Sequence, residues 1–252
     1  MTESPRSDHY SYQVYRDRAT ARAFDTVRFG GPIGQIVAGT QARVITNFIG
    51  PIHGRRFLDV GTGTGRAALI LAASGGIVTA VDASEDMLDV AREQAAAQSV
   101  AVAFQPGDAH ALKFSDRSFD VVLSLRVLMH TPDWRQVISE MCRVADQLVV
   151  FDYPSRWSFA AFQAGLRRLT ARFGAKTEAY RVFSQGQIAR ELTKHGYRVR
   201  AVHRQFVLPI ALHKALGSRR FTLWVEQRFE DAGLLRVFGS PVTVVAERCA
   251  SS

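Results

Sequence analysis

The chain has 252 residues, 47% of them hydrophobic, and a formal net charge of +9. That length supplies one sizeable core, as a large α/β domain or a domain with a small cap. Two distant cysteines, Cys142 and Cys249, form no metal-ligand or redox pattern, no run approaches the ~18 apolar residues of a membrane-spanning helix, and the polar start lacks the apolar segment of a signal peptide, so a reduced, cytoplasmic protein without a metal site is expected.

The charge is unevenly placed. Residues 1–150 hold 15 basic and 16 acidic residues, whereas residues 151–252 hold 17 and 7. The basic C-terminal half fits an anionic partner, whether acidic substrate, membrane surface or nucleic acid. It equally fits a solvated surface in an arginine-favouring protein, since only four of the 32 basic residues are lysine.

In chain order, residues 1–50 read as helices and loops, a helical lid or cap. Gly30-Gly31-Pro32-Ile33-Gly34 breaks them and opens a helix towards Phe48. From residue 56 the pattern predicts strands at 56–60, 77–81, 100–104, 119–125 and 147–152, with helices at 64–74, 84–97 and 133–145. Near-continuous apolar runs such as Val121-Val122-Leu123-Ser124-Leu125 fit parallel strands buried on both faces. Strand–helix alternation implies right-handed crossovers and a doubly wound, mostly parallel sheet. The main domain spans 51–252, with insertions at about 155–183 and 209–239. Phe159, Phe162, Leu166, Leu169 and Phe173 place a basic amphipathic helix over 155–175. A helix at 184–195 stops at Gly196, a strand follows near 198–208, an irregular or helical excursion covers 211–238, and a last strand covers 242–246. The two late strands predict an antiparallel edge.

The densest information lies at the end of the first strand. Asp59-Val60-Gly61-Thr62-Gly63-Thr64-Gly65 puts an acid and three alternating glycines where an α/β sheet binds ligands, beyond the carboxyl ends of its strands. Asp82 ends the second strand, where a carboxylate accepts from ribose hydroxyls. Gly107-Asp108-Ala109 follows the third, where an acid can accept from an adenine amino group. The dinucleotide fingerprint G-x-G-x-x-G is not met: the third glycine comes one place early and Arg66 stands in its position.

Together with Phe119-Asp120-Val121-Val122-Leu123-Ser124, these motifs resemble the class I S-adenosylmethionine-dependent methyltransferases over roughly residues 50–150. Within that superfamily the chain is most similar to the small-molecule branch of quinone and natural-product methyltransferases. The resemblance implies a Rossmann-like seven-stranded sheet with an antiparallel last strand and helical cap insertions. It also implies S-adenosyl-L-methionine as cofactor. By position, Gly61, Thr62, Gly63, Thr64 and Gly65 would contact its methionine part, with Asp59 orienting the loop or receiving the ammonium through water. Asp82 and Ala83 would bind the ribose, Met87 would pack on the adenine, and Asp108 and Ala109 would read its edge. Ser124 and Leu125 would floor the amino-acid portion.

Methyl transfer from a sulfonium is an in-line displacement with an activated leaving group, so the protein mainly supplies proximity. A general base is needed only when the acceptor must lose a proton. The candidates are His130, just past the fourth strand, and Asp152 and Tyr153 after the fifth; His203 and His213 read as structural. His9-Tyr10-Ser11-Tyr12-Gln13-Val14-Tyr15-Arg16 fits part of a lid or an amphipathic helix, and Arg28 and Phe29 are placed to reach the cofactor carboxylate. Trp157, Phe159, Phe162, Phe221, Leu223 and Trp224 favour a small apolar or aromatic acceptor, partly anionic given the interleaved arginines, or a peripheral membrane contact. Two other readings compete: an NAD(P)-dependent oxidoreductase, and a non-catalytic protein of the same fold that binds RNA or another ligand. No RNA-reading aromatic motif and no Asn-Pro-Pro-Tyr-like run is present, which argues against nucleic acid.

Overall fold

Strands β1 (Arg56–Val60), β2 (Ile77–Asp82), β3 (Ala103–Pro106), β4 (Phe119–Ser124), β5 (Ala145–Tyr153), β6 (Tyr197–Phe206) and β7 (Ser240–Arg248) form one sheet. Its order is β3-β2-β1-β4-β5-β7-β6. The computed structural model describes residues 18–158 and 181–250. The aromatic run at 9–16, and all but the first four residues of the predicted basic helix at 155–175, lie outside the described residues.

The first five strands pair in parallel, and β7 alone runs antiparallel. This is the Rossmann-like arrangement expected of the chain. The two late strands make the antiparallel edge expected of them, β7 lying between β5 and the outermost strand β6. Burial explains the placement. Val242, Val244, Val245 and Ala246 are buried, whereas β6 interleaves Arg198, Arg200 and Arg204 with half-buried residues.

Helices cover both faces. Among the described residues these are α1 (Arg18–Phe29), α2 (Gly31–Ile49), α3 (Arg66–Ala73), α4 (Glu85–Ala97), α5 (Trp134–Val144), α6 (Gln185–Lys194), α7 (Ile210–Leu216), α8 (Arg219–Asp231) and α9 (Leu235–Phe238). The period of two along each strand divides the core. Leu58 and Val122 join the cluster with Ile138 and Met141 of α5, while Phe57 and Val121 join the one with Ile45 of α2 and Leu71 of α3. Burying each such side chain contributes roughly 1.5–3 kcal/mol.

Two boundaries shift for local reasons. β3 begins at Ala103 rather than 100, because Ser99 takes φ 54 and Val100 N–H donates to the Ala95 carbonyl, closing the end of α4. α3 begins at Arg66 rather than 64, because Gly65 sits at the N-cap with φ 86.

The 211–238 excursion is helical, comprising α7 to α9. A buried network fixes it to the end of β6. Glu226 accepts from the backbone N–H groups of Val207 (2.8 Å) and Leu208 (3.1 Å) and meets His213 Nε2 at 2.8 Å; His213 Nδ1 meets Thr222 Oγ1 at 3.0 Å. Every polar group of this buried set thereby has a partner, and His213 is structural. Lys214 of α7 donates to the Val27 and Arg28 carbonyls, both at 2.9 Å, capping the last turn of α1.

Candidate cofactor and acceptor site

The strand order reverses between β1 and β4, and there a cleft opens beyond the strand ends. Gly61 and Thr62 N–H both donate to the Val81 carbonyl, at 2.8 and 3.0 Å, which laces the glycine loop to the end of β2. Gly61 has φ 70, and a Cβ there would lie 2.3 Å from Val127 Cγ2, so no side chain fits. Gly63 is the opposite case: nothing lies within 4 Å of its Cβ position, so its backbone faces open cleft.

Two acids support the loop. Asp82 accepts from Gly63 N–H at 2.8 Å and from Ser84 N–H at 2.9 Å, one on each carboxylate oxygen. Each oxygen keeps a further lone pair, which suits it to a pair of ribose hydroxyls. Burial pushes the Asp82 carboxyl above the usual range, against the pull of those N–H donors. Asp59 is 2% exposed and accepts from Thr62 Oγ1 at 2.7 Å. Burial raises its pKa to about 6, opposed by the Thr62 hydroxyl and the Ala68 N–H.

A third acid holds the loop from outside and was not singled out in the sequence. Asp25 of α1 accepts from Thr64 Oγ1 at 2.9 Å and from Gln94 Nε2 of α4 at 3.0 Å. The N-terminal helix is thus tied to the glycine loop, and it adds Phe24, Arg28 and Phe29 to the cleft wall. Arg66 stacks its guanidinium 3.3 Å over the Phe29 ring.

Of the residues expected at the cofactor, Asp59, Gly61, Thr62, Gly63, Thr64, Asp82, Ala83, Met87, Ala109 and Leu125 line the cleft. Three do not. Gly65 packs behind it, where a Cβ would stand 3.0 Å from Ala91 Cβ, so it serves close approach of α3 to α4. The Asp108 carboxylate accepts from His110 N–H at 2.8 Å and meets His110 Nδ1 at 2.7 Å; Gly107 and Ala109 line the cleft in its place. Ser124 is 1% exposed and donates to the Val60 carbonyl at 2.8 Å, joining β4 to β1 instead of flooring the site.

The catalytic candidates separate in the same way. His130 lines the cleft from a 3₁₀ turn, Leu128–His130, beside Thr131 and Pro132. Asp152 is fully buried behind the wall, where it accepts from Arg126 N–H at 2.5 Å. Tyr153 is a core residue, 1% exposed between Phe151 and Phe183, and burial raises its hydroxyl pKa to about 12. Neither lines the cleft. Strand-end position put both at its mouth in the sequence, but both are buried, and the chain just beyond them bridges to Phe183 through Ser155. His203 lies on β6, away from the cleft, half-buried and with its pKa lowered by that burial. Among the described residues no group of three or more His, Cys, Asp or Glu gathers to hold a metal.

Known proteins share this architecture. Residues 58–148 match a family model described as a methyltransferase domain. A demethylmenaquinone methyltransferase of Deinococcus radiodurans is 35% identical over 147 residues, 54% of this chain and 61% of that protein. A ubiquinone biosynthesis O-methyltransferase of Coxiella burnetii is 37% identical over 87 residues, 34% of this chain and 37% of that one. The chain therefore spans less than two thirds of either relative's length. In fold, it resembles the magnesium protoporphyrin IX methyltransferase of Synechocystis PCC 6803 with bound SAH, at a TM-score of 0.67 and 19% identity, covering 94% of this chain and 99% of that one. The glycine loop, its acids and the sheet order define a class I S-adenosylmethionine-dependent methyltransferase domain. Residues 58–148 are thus similar to a methyltransferase domain, and the oxidoreductase and RNA-binding readings gain nothing from these matches.

Proposed function

We propose that the protein transfers the methyl group of S-adenosylmethionine to a small, apolar, ring-bearing acceptor. One observation carries the cofactor assignment: Gly63 presents bare backbone to open cleft while its N–H is held by Asp82, the strand-end acid suited to a ribose. When bound, the cofactor supplies a methyl group already activated on sulfonium. The chain's own residues supply the rest. Asp82 receives the ribose, Asp59 faces the ammonium end, Met87 and Ala109 flank the base, and Phe24, Phe29 and Ile45 exclude water from the acceptor side. His130 is the one candidate base among the described residues that reaches this space. The names of the two relatives, one a demethylmenaquinone methyltransferase and one an O-methyltransferase of ubiquinone biosynthesis, support a ring-bearing acceptor here.

Calorimetry of the full chain with S-adenosylhomocysteine tests the reading. Micromolar binding is expected, with a loss of about 100-fold or more in Asp82→Ala, which removes a ligand acceptor and strands two backbone N–H groups. Absence of binding by the wild type would overturn it.

The reading extends to a partner surface. Eleven large apolar residues are exposed among the described residues, and eight of them lie between Ile210 and Phe238. They include Phe221, Leu223 and Trp224, interleaved with exposed Arg219, Arg220 and Arg228 on α8. No helix among the described residues is long and apolar enough to cross a membrane. Apolar and cationic groups on one short helical segment suit the surface of an anionic bilayer, where apolar acceptors gather. Vesicles of phosphatidylglycerol should bind the protein, and Phe221→Ser/Trp224→Ser should weaken that binding at least tenfold. Equal partition of wild type and variant to those vesicles would refute the contact.

A further inference from the structure

Arg126 leaves the end of the central strand β4 and lines the cleft four residues before His130. Its backbone is held in an unusual state. It takes φ 64, a left-handed conformation that is strained for a residue with a Cβ. What enforces it is Asp152, a carboxylate with no exposure, which accepts the Arg126 N–H at 2.5 Å. The other Asp152 oxygen has no hydrogen-bond partner among the described residues. A strained backbone and a half-satisfied buried acid are both unfavourable, and they meet at a residue that lines the cleft.

The Arg126 guanidinium feels the charge of the buried Asp152 but is not directly paired with it. Among the described residues it makes no hydrogen bond and no ion pair, and its Nε is buried without a partner. The other two arginines of the wall each stand over an aromatic ring. Arg66 stacks on Phe29 with the Asp25 charge near it, and Arg28 stands 4.8 Å over the Phe24 ring. A buried donor left unmet is destabilising, and a guanidinium most favours a bidentate oxyanion. The methyl donor brings one carboxylate, which the glycine-loop amides and a single arginine suffice to hold. Three guanidinium groups line the cleft.

We propose that Arg126 is a specificity-determining residue that pairs with an anionic group of the acceptor, so that the acceptor is an aromatic or unsaturated carboxylic acid. The proposal rests on the methyltransferase reading and narrows its substrate class. The acid docks by its carboxylate on Arg126, its apolar body lies against Phe24, Phe29 and Ile45, and His130 stands one turn away.

The test uses the full chain saturated with S-adenosylhomocysteine and titrated with 1-naphthoate or with its neutral counterpart, 1-naphthamide. The wild type should prefer the carboxylate by at least about tenfold, the effect of a charge-assisted pair. Arg126→Gln should abolish the preference and Arg126→Lys should keep part of it, with the affinity for S-adenosylhomocysteine changed less than about twofold in both. An undiminished carboxylate preference in Arg126→Gln, or no preference in the wild type, overturns the proposal alone. So does a loss of S-adenosylhomocysteine by Arg126→Gln, which would assign Arg126 to the donor's own carboxylate. Failure of S-adenosylhomocysteine to bind the wild type overturns the methyltransferase reading, and this proposal with it.

Discussion

Asp59→Asn should make the ligand-free protein more stable at neutral pH while weakening its hold on the cofactor. Asp59 lies under the glycine loop, 2% exposed, with the Thr62 hydroxyl at 2.7 Å. Burial lifts its pKa from 3.8 to about 6, and the nearby Asp82 charge adds to the lift. A carboxyl raised in this way favours the folded state most when it is protonated. Its contribution is complete below about pH 4 and is lost as the pH rises through 6. The shift is about two units at 1.36 kcal/mol each, or about 3 kcal/mol. Asparagine has nearly the same shape, keeps an acceptor for Thr62 and does not titrate. From pH 4 to 7.5, Asp59→Asn should therefore gain about 3 kcal/mol on the wild type, about 6–12 °C in Tm for a chain of this size. Melting curves without ligand across that range measure it. Calorimetry should show the converse for S-adenosylhomocysteine: wild-type affinity rising between pH 5 and 7 as Asp59 ionises to face the ligand's ammonium, and weaker, flatter binding in Asp59→Asn. Parallel melting profiles from pH 4 to 8 would refute the idea that a buried, frustrated carboxylate waits for a cation.

Other residues give sharper local outcomes. Gly61→Ala should fold with a Tm several degrees lower and lose measurable cofactor binding, since its Cβ meets Val127 at 2.3 Å in a left-handed backbone; normal binding would show that the loop yields easily. Tyr153→Phe should leave turnover unchanged and raise stability by about 1 kcal/mol, because the hydroxyl is buried without a partner among the described residues; a large loss of turnover would return Tyr153 to the catalytic candidates. His213→Ala should cost about 3–5 kcal/mol, as it leaves the Glu226 carboxylate buried beside an empty space. Proteolysis should then cut first between 207 and 239. Asp25→Ala should weaken S-adenosylhomocysteine binding about tenfold without touching the ligand, by freeing Thr64 and Gln94, and an unchanged affinity would leave α1 with no part in holding the loop.

These residues also show what was legible in the sequence. The strand–helix alternation, the glycine loop and Asp82 were readable because each obeys a local rule: an apolar run, a turn, an acid at a strand end. Even the interior place of β7 had its signal in Val242-Thr243-Val244-Val245-Ala246, an apolar run too continuous for an edge, against the arginine-interleaved β6. Asp25 had no such signal. It lies 39 residues from Thr64, and only the packing of α1 on α4 brings the two together.

Asp82 and Asp152 both sit at strand ends, the first half-buried and the second fully buried, and the local pattern did not separate them. The difference lies in what the backbone does next. At Asp82 the following chain turns away and leaves the carboxylate between loop amides and open cleft. At Asp152 the amide of Arg126, from the neighbouring strand, closes over the carboxylate and directs a cation into the cleft instead. The rule that an acid at a strand end faces ligand therefore holds only where no neighbouring strand end folds across it. In this chain that condition divides the work: β2 presents its own acid to the cofactor, whereas β5 spends its acid on placing an arginine.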